Sequence, residues 1–359
     1  MRNKSIKSNF LRKHGYLEAQ KLMKKRPNLI KIIIFVIIAI FLLIFPFIAR
    51  SRYQVHILNM VGIFILLSLG LNIAMGYAGQ FNLAMGALWA VGAYTAGLLS
   101  TKLGFPFWLT LPCSILTGGL IGGFVGLPSL KVRAHYLSIV TIGLNEVINI
   151  ILVNETKFAG GIDGISRIPK PVLFGFRIDT DEKYYYLILV AAIVGFLLAK
   201  QILSGRVGRN FRAIRDDYKT APAMGINSGF YKILAFIISG CFAGAAGALY
   251  AHLNAYVSPD IFEHKTTLFI MTMTMVGGMG NLYGSLVGSF ILPVLQEYLR
   301  AIQNCQFVVY GVAIMVVVLF IPGGLMEITN RLRPVFVSAT SWIRKKKKSE
   351  TAEEDSDVS

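Results

Sequence analysis

Long apolar runs constrain the fold of this chain more than any other sequence feature. After the first 31 residues the chain contains ten of them, and most are long enough to cross a hydrocarbon core of about 30 Å as a helix. Only 15% of the residues are charged and the mean hydropathy is +0.61, which is too apolar for a soluble protein. The sequence therefore predicts an all-α polytopic membrane protein with about ten transmembrane segments. The runs are 32–49, 55–75, 83–100, 107–127, 136–153, 184–203, 231–253, 267–276, 283–295 and 307–321.

The basic residues indicate how the chain is oriented. The formal net charge is +18, which by itself is also typical of nucleic-acid-binding proteins. Lys and Arg, however, are concentrated in residues 1–31, in the loop 205–229 and near the C-terminus, whereas the acidic residues are divided almost evenly between the two sides. Because cytoplasmic loops are enriched in Lys and Arg, this pattern predicts a multi-pass protein of the cell membrane with both termini in the cytoplasm and no nucleic-acid partner.

The same pattern divides the chain into three parts. A basic cytoplasmic tail (1–31), expected to contact membrane lipid, precedes a transmembrane domain (32–328). A cytoplasmic tail (329–359) that is first basic and then acidic is predicted to be disordered. Within the transmembrane domain, the loop 154–183 mixes charges with Gly and Pro, so we expect a structured, turn-rich cap on the extracytoplasmic side.

The loop 205–229 is longer than a simple connection between membrane spans requires. Phe211, Ile214 and Tyr218 recur at helical spacing on one side and arginines line the neighbouring side, which predicts a short amphipathic helix. Three interpretations stay open: docking to a protein partner, anchoring to lipid headgroups, and a solvated loop. The residues selected in this loop are Gly205, Arg206, Arg209, Phe211, Arg212, Ile214, Arg215, Asp216, Asp217, Ala221 and Gly225.

Two of the apolar runs are short and are separated by glycines. The runs 267–276 and 283–295 flank residues 277–281, whose glycines disfavour a straight helix. Interrupted helices are tolerated in a membrane only where protein or a wet cavity surrounds them, so we expect a turn that lines a channel or packs helices. Glycines at four-residue spacing also predict close helix contacts. They are Gly118, Gly122 and Gly126; Gly240 and Gly244; and Gly280, Gly284 and Gly288.

Polar residues inside the apolar runs are the candidates for a solute path. Glu146 is near the middle of its run, and an intramembrane carboxylate is expected to face the interior of the bundle, paired or protonated. Gly76 and Gly79 interrupt a second polar patch, which predicts a discontinuous helix with free backbone groups. For both groups, lining a path and hydrogen bonding between helices stay open. The candidate path residues are Asn72, Tyr77, Gln80, Asn82, Asn145 and Glu146.

The chain contains no sequence motif for nucleotide hydrolysis or metal catalysis. We find no GxxxxGK[ST] phosphate loop, no HExxH and no GxSxG. Cys113, Cys241 and Cys305 lack the spacing of metal ligands. The sequence therefore predicts a protein that is not an enzyme, with no catalytic residue and no metal or cofactor of its own. Any pumping must then draw energy from elsewhere.

Several segments, taken in order, resemble one protein family. They are GLNIAMGYAGQFNLAMGALWAVGAYTA (70–96), NETKFAGGIDGISRIPKP (154–171), GRVGRNFRAIRDDYKTAPAMGINSGFYKILAF (205–236), and VGGMGNLYGSLVG followed by IPGGLM (321–326). These segments resemble the LivM-like permeases of branched-chain amino-acid ABC transporters. The resemblance covers most of the chain, and several motifs in the same order make it more specific than any one of them.

The resemblance implies a function and a set of partners. The loop 205–229 is similar to the family's coupling loop, which docks on the ATP-binding subunit, so the resemblance favours partner docking among the three interpretations. It implies a permease subunit of an ABC importer for branched-chain and other hydrophobic amino acids. The implied partners are two ATPase subunits that bind ATP and Mg²⁺, a homologous second permease of the LivH-like type, and an extracytoplasmic substrate-binding protein.

The resemblance also implies roles for residues of the coupling loop. Its arginines would bind acidic groups of the ATPase by charge-assisted hydrogen bonds, and Phe211 and Ile214 would fill a groove of that subunit. Pro222 departs from the family's pattern. Because proline interrupts a helix, the docking helix is expected to end near Thr220 and to restart toward Gly225.

Other functions remain as alternatives. Related permeases carry urea and short amides, sugars or nucleosides, although a path for polar solutes would contain more hydrogen-bonding side chains than we can place here. A passive channel would not require the basic loop, and the chain lacks the paired Asn-Pro-Ala signature of water channels. A membrane enzyme would need a polar constellation, and Glu146 has no catalytic companion in the sequence.

Overall fold

Most of the transmembrane domain is described by the structure, a computed structural model. The described residues are 51–132, 134–173 and 176–299, with the single positions 46, 311, 315, 324 and 325. The chain divides into two compact units, Met1–Val55 and His56–Ser359, and nearly all described residues belong to the second unit. The two tails and almost all of the first and last predicted runs lie outside the described residues.

Within the three continuous ranges, the structure contains ten α-helices and four short strands. The helices are α1 (Arg52–Leu71), α2 (Met85–Lys102), α3 (Phe107–Gly126), α4 (Ala134–Asn154), α5 (Thr156–Ala159), α6 (Asp181–Ser204), α7 (Arg206–Asp216), α8 (Ser228–Asn254), α9 (His264–Gly277) and α10 (Leu282–Leu299). A π-helical turn covers Asn72–Tyr77, and 3₁₀ turns cover Leu127–Leu130, Gly161–Asp163, Ala221–Met224 and Pro259–Phe262. The strands are β1 (Ile165–Ser166), β2 (Val172–Leu173), β3 (Phe176–Arg177) and β4 (Tyr256–Val257).

Five helical stretches in the described part of the chain are long and apolar enough to span a membrane. All five coincide with predicted runs, which confirms a helical fold of the membrane type, whereas the predicted total of about ten segments is not confirmed. The predicted run 83–100 forms α2, which is not among the five. Its Gly, Ala and Thr residues suit burial against other helices better than contact with lipid. The five stretches are Arg52–Tyr77, Phe107–Leu130, Tyr136–Asn154, Asp181–Ser204 and Ser228–Asn254.

Glycines allow α8 to pack closely on α3 and α2 at the centre of the described bundle. Gly240 and Gly244 of α8 meet Gly118 and Gly122 of α3. A Cβ atom at Gly122 would lie 2.5 Å from the carbonyl oxygen of Phe236, closer than real Cβ atoms approach. The helices therefore meet backbone to backbone, which confirms the prediction from the four-residue glycine spacing.

The predicted interruption between the two short runs is confirmed. Residues 277–281, here called the glycine turn, separate the end of α9 from the start of α10. Gly278 and Gly280 have φ angles of 121° and 78°, in the left-handed region that only glycine adopts readily. The two helices then fold back on each other, and a Cβ atom at Gly284 would lie 2.5 Å from the carbonyl oxygen of Gly277.

The predicted discontinuous helix is confirmed between α1 and α2. After the π turn Asn72–Tyr77, residues 78–84 are not helical, and we call them the break segment. The N–H of Ala78 bonds to the carbonyl of Ile73 at 3.1 Å, and the N–H of Gln80 reaches back to Ala74 at 2.9 Å. These widened turns end the helix, and α2 begins at Met85.

The loop 154–183 forms the structured, turn-rich cap that the sequence predicts. It contains α5, one 3₁₀ turn and three short strands, and β1 pairs antiparallel with β4. His252 of α8 joins this cap to the bundle, because its Nδ1 lies 2.7 Å from the carbonyl oxygen of Pro169. A carbonyl only accepts, so Nδ1 carries the proton, and Nε2 lies 3.1 Å from the hydroxyl oxygen of Thr110.

Replacing Gly244 by Ala is expected to destabilise the bundle, because the new Cβ would collide with the backbone of Ser114. We expect a loss of about 1–3 kcal/mol in the free energy of unfolding, measured by denaturation in detergent. Gly143→Ala on α4 is the matched control. Nothing lies within 4 Å of a Cβ atom there, so this change should leave stability unaltered or raise it slightly. Equal losses in both variants would contradict the close packing.

Candidate functional site

The basic loop forms a helix whose apolar side is buried within this chain. α7 covers Arg206–Asp216 and follows α6 directly after Gly205. Phe211 is fully buried and Ile214 is 3% exposed. The Phe211 ring meets Tyr231 of α8 edge-on, with ring centroids 6.1 Å apart. The prediction of an amphipathic helix is correct for Phe211 and Ile214, whereas Tyr218 lies beyond the end of α7 and is exposed. The expectation that Phe211 and Ile214 fill a groove of another subunit is wrong, because α7 packs its apolar side on its own bundle.

The arginines of α7 differ in their surroundings. The guanidinium of Arg212 forms hydrogen bonds within this chain. Its Nε donates to the carbonyl of Gly208 at 3.1 Å, and its Nη2 donates to the carbonyl of Leu203 at 3.2 Å. Arg212 therefore pairs one carbonyl near the end of α6, that of Leu203, and one within α7 itself. Arg206 and Arg209 are exposed, and within the described ranges their side chains form no hydrogen bond or ion pair. These two arginines are available to an acidic surface.

α7 ends at Asp216, earlier than the end near Thr220 that we expected from the sequence. The helix stops at Asp216, because the Asp217 side chain accepts from the N–H of Lys219 at 2.8 Å and forms a turn that competes with the helix. That hydrogen bond also holds the pKa of the Asp217 carboxyl below its usual value. The predicted restart is a 3₁₀ turn, Ala221–Met224, which contains the proline and ends at Gly225, where φ is 77°.

Asn72 joins the π turn to the glycine turn. Its side chain is fully buried, and its Nδ2 donates to the carbonyl of Asn281 at 2.9 Å and to the hydroxyl of Ser285 at 2.7 Å. Its Oδ1 accepts from the N–H of Gly280 at 2.8 Å. Of the two interpretations left open for Asn72, the geometry therefore favours hydrogen bonding between helices.

Arg215 of α7 reaches the same junction. Its Nη1 donates to the carbonyl of Gly76, the fifth residue of the π turn, at 2.7 Å. Arg215 also forms an ion pair with Asp216 at 3.4 Å, and both side chains are partly exposed, by 40% and 70%. Tyr77, next to Gly76, is half-buried. The loop predicted to couple and the patch predicted to line a path are thus in direct contact, which the sequence did not indicate.

Side chains pair the backbone N–H groups at the start of α2. Free N–H groups at a helix start are costly in apolar surroundings, and here side chains from α4, α9 and the break segment accept from them. Asn82 and Asn145 thus hold a helix end, while Gln80 donates to Ala78 within the break segment. The four bonds are Leu83 N to Thr141 Oγ1 (3.0 Å), Ala84 N to Asn82 Oδ1 (3.0 Å), Gly86 N to Thr267 Oγ1 (2.9 Å) and Ala87 N to Asn145 Oδ1 (2.8 Å).

Sequence reasoning missed Thr141 and Thr267, although both are fully buried and both pair the start of α2. A threonine in an apolar run usually bonds to its own helix, so nothing in the sequence separates these two from the others. The available signal was the predicted break itself. A helix that starts inside a bundle needs acceptors, and buried threonines on neighbouring runs are natural candidates.

Glu146 lies apart from the other candidate path residues. It is exposed on α4 and lines a groove of about 410 Å³ together with Glu263, His264 and Lys265. The expectation that Glu146 faces the interior of the bundle is wrong for this chain. Successive helical residues are turned by about 100°, so Asn145 faces α2 while Glu146 faces outward. The six candidate residues therefore lie in three places. Asn72, Tyr77 and Gln80 are in or just after the π turn, Asn82 and Asn145 are at the start of α2, and Glu146 is at the groove. The described part of the chain does not bring them into one cavity.

Thr267→Val is expected to destabilise the start of α2, because valine keeps the shape of threonine but cannot accept from the N–H of Gly86. We expect a loss of about 1–2 kcal/mol in the free energy of unfolding, measured by denaturation in detergent. Thr272→Val on the same helix is the matched control, because Thr272 is half-buried and, among the described residues, its side chain bonds to the carbonyl of Leu268 in its own helix. Its effect should stay within about 0.5 kcal/mol. If Thr267→Val were as stable as this control, Thr267 would not stabilise the start of α2.

Comparison with known proteins assigns the chain to a family. The family model described as branched-chain amino acid transport system, permease component, matches residues 53–321. The high-affinity branched-chain amino acid transport system permease proteins LivM of Salmonella typhimurium and Escherichia coli are 33% and 32% identical over 303 residues, covering 78% of this chain and 71% of each relative.

More distant relatives include two other permeases. The probable branched-chain amino acid transport permease protein LivH of Methanocaldococcus jannaschii is 24% identical, over 79% of this chain and 90% of the relative. The ribose import permease protein RbsC of Haemophilus influenzae is 23% identical, over 77% and 86%. No solved structure matches the chain significantly. With the family model spanning the helix break, the basic loop and the glycine turn, the chain belongs to the branched-chain amino acid permease family of multi-pass membrane proteins.

Proposed function

We propose that this chain is the permease subunit of an ATP-driven importer for branched-chain and other hydrophobic amino acids. Family membership supports the transport role, and the names of the LivM relatives support the solute class. The observation that carries the proposal is the geometry of α7. Its apolar side is fixed on the bundle, while Arg206 and Arg209 remain exposed and unpaired within the described ranges. A basic helix held in this way is suited to receive an acidic surface of a partner.

The partner that we propose for α7 is an ATPase subunit, two of which would bind ATP and Mg²⁺ and drive transport. Acidic groups of the ATPase would pair with Arg206 and Arg209 by charge-assisted hydrogen bonds. Exposed apolar residues of the loop 205–229 would complete the contact, and these are Tyr218 at 48% exposure and Met224 at 81%. They take the place of Phe211 and Ile214, which the bundle buries.

The exposed face of α4 supports the proposal of a second permease subunit. Only 17% of the apolar part of α4 is buried, and Glu146 lies on its exposed side. A carboxylate within a membrane span is costly against lipid and is usually covered by protein or by water. We therefore place a homologous, LivH-like permease against α4, with the groove at Glu146 facing the solute path between the two subunits. The match to a LivH protein is compatible with such a pair.

The remaining partners follow from the orientation that the basic residues predict. With both termini in the cytoplasm, the loop 205–229 faces the cytoplasm and the cap 154–183 faces outward. The cap is folded and is anchored to the bundle through His252. This fixed surface would receive an extracytoplasmic substrate-binding protein that delivers the solute.

A sugar or another polar solute is the second candidate for the same importer. The match to a ribose permease favours it, but that relative is 23% identical whereas the LivM relatives reach 32–33%. The polar residues of the path region also argue against it. Asn72, Asn82 and Asn145 are fully buried and bonded within the bundle. Of their side-chain polar atoms, Nδ2 of Asn145 alone has no partner within the described ranges, so few hydrogen-bonding groups are left for hydroxyl groups of a sugar.

Reversing the charge of Arg209 is expected to prevent docking of the ATPase. In Arg209→Glu, an acidic partner would face a carboxylate, and we expect co-purified ATPase to fall by about tenfold or more while membrane insertion is unchanged. Lys183→Glu, on an exposed residue at the start of α6, is the matched control and should retain wild-type amounts of ATPase. Full ATPase recovery with Arg209→Glu would contradict the docking face.

The solute class is tested by uptake into vesicles that contain this chain, its second permease and the ATPases. With the binding protein present, we expect ATP-dependent accumulation of leucine, isoleucine or valine, and no accumulation of ribose, urea or a nucleoside. Omitting the ATPases separates an importer from a passive channel. Accumulation of ribose alone would replace the amino-acid assignment with the second candidate, and equilibration without ATP would indicate a channel.

A further inference from the structure

We propose that Arg215 is a positioning residue that transmits displacement of α7 to the break between α1 and α2, through its hydrogen bond to the carbonyl of Gly76. The inference rests on the proposed coupling role of α7 and deepens it. It moves Arg215 from the surface that touches the ATPase to a contact inside this subunit. Docking and transmission are then performed by different arginines of the same short helix.

The first observation is that three interruptions of helical structure meet at Arg215. The π turn ends beside Gly76, the break segment contains Gly79, and the glycine turn contains Gly280. Asn72 ties the π turn to the glycine turn through the N–H of Gly280 at 2.8 Å. A helix end leaves carbonyl groups without their usual partners, and a guanidinium is a strong, charged donor for such a group.

The second observation is that glycines make room for the Arg215 side chain. A Cβ atom at Gly79 would lie 2.9 Å from Cγ of Arg215, and one at Gly280 would lie 2.8 Å from its Nη1. Both glycines have positive φ angles, 67° and 78°. The stem of Arg215 therefore rests on the break segment and its head lies between the glycine turn and the π turn. Any larger residue at either position would have to push the arginine aside.

The third observation concerns how α7 is attached. Arg212 and Gly208 hold it to the end of α6, and Phe211 holds it to α8. Among the described residues, one side-chain hydrogen bond links α7 to the π turn, and it is the bond from Arg215 to the carbonyl of Gly76. A force applied to the exposed arginines of α7 therefore reaches the break through Arg215.

The break in turn leads to the start of α2. Residues 78–84 connect Gly76 to α2, and the first N–H groups of that helix are held by Asn145 and Thr267. Asn145 is the direct neighbour in sequence of Glu146, which lines the groove on the exposed side of α4. A shift of Gly76 therefore acts on a helix end that adjoins the groove where we place the solute path.

Arg215→Met tests the contact, because methionine keeps an unbranched side chain but removes every donor. We expect the assembled complex to retain its ATPases and to hydrolyse ATP, while the amount of solute moved per ATP falls about tenfold. A merely structural role would lower hydrolysis and uptake together with the amount of folded complex. Lys200→Met is the matched control. It removes an exposed charge near the end of α6, keeps the Arg215 bond to Gly76, and should transport as the wild type does.

Two further variants make the result decisive. Arg215→Lys keeps a charged donor and should stay within about threefold of the wild-type ratio of solute to ATP. Gly280→Ala reaches the same contact from the opposite side and should uncouple as Arg215→Met does. Loss of bound ATPase in Arg215→Met, as expected for Arg209→Glu, would overturn the proposal by making Arg215 a docking residue. An unchanged ratio of solute to ATP would also overturn it, as would failure of both Arg215→Met and Gly280→Ala to fold.

A wild-type complex without ATP-driven amino-acid uptake would instead refute the proposed function. The two failures are therefore distinguishable, because the Arg215 comparison is made only against a wild-type complex that transports. A vesicle assay with leucine as the probe, together with phosphate release as the measure of hydrolysis, supplies both quantities from the same sample.

Discussion

Pairing of backbone polar groups is the constraint on which the rest of this structure depends. A helix that stops and restarts inside an apolar bundle exposes N–H and carbonyl groups that lipid cannot satisfy. In the part of the chain that the structure describes, helices are interrupted at the break segment and at the glycine turn, and in both places side chains from distant parts of the sequence supply the partners. Asn72, Asn145 and Thr267 perform this role, and each of them is fully buried.

The sequence predicts helical elements well, because apolar periodicity and glycine clusters are local signals. The runs that became α3, α4, α6 and α8, the break near Gly79 and the interruption at Gly280 all follow from such signals. The total number of membrane segments does not follow from these local signals. α2 is surrounded by other helices, and a helix covered by protein does not need the uniformly apolar surface by which a membrane span is recognised.

Side-chain partners across the bundle could not be predicted, since they depend on how distant segments meet. Phe211 and Ile214 were correctly placed on an apolar helix face, yet an apolar face looks the same in a sequence whether its own bundle or another protein covers it. Adjacent residues show the same limit on α4. Asn145 and Glu146 are both polar residues of one apolar run, and only the packing of α4 decides that the first bonds to α2 and the second faces outward.

The backbone contact between α8 and α3 has a mechanical consequence. Where Gly240 and Gly244 lie on Gly118 and Gly122, there are no side chains whose rotamers can change to let one helix slide along the other. These helices must therefore travel as one stiff body during a transport cycle. Hinge motion is left to the borders of that body, where α4 is only lightly covered and where the two interrupted helices already lack continuous backbone support.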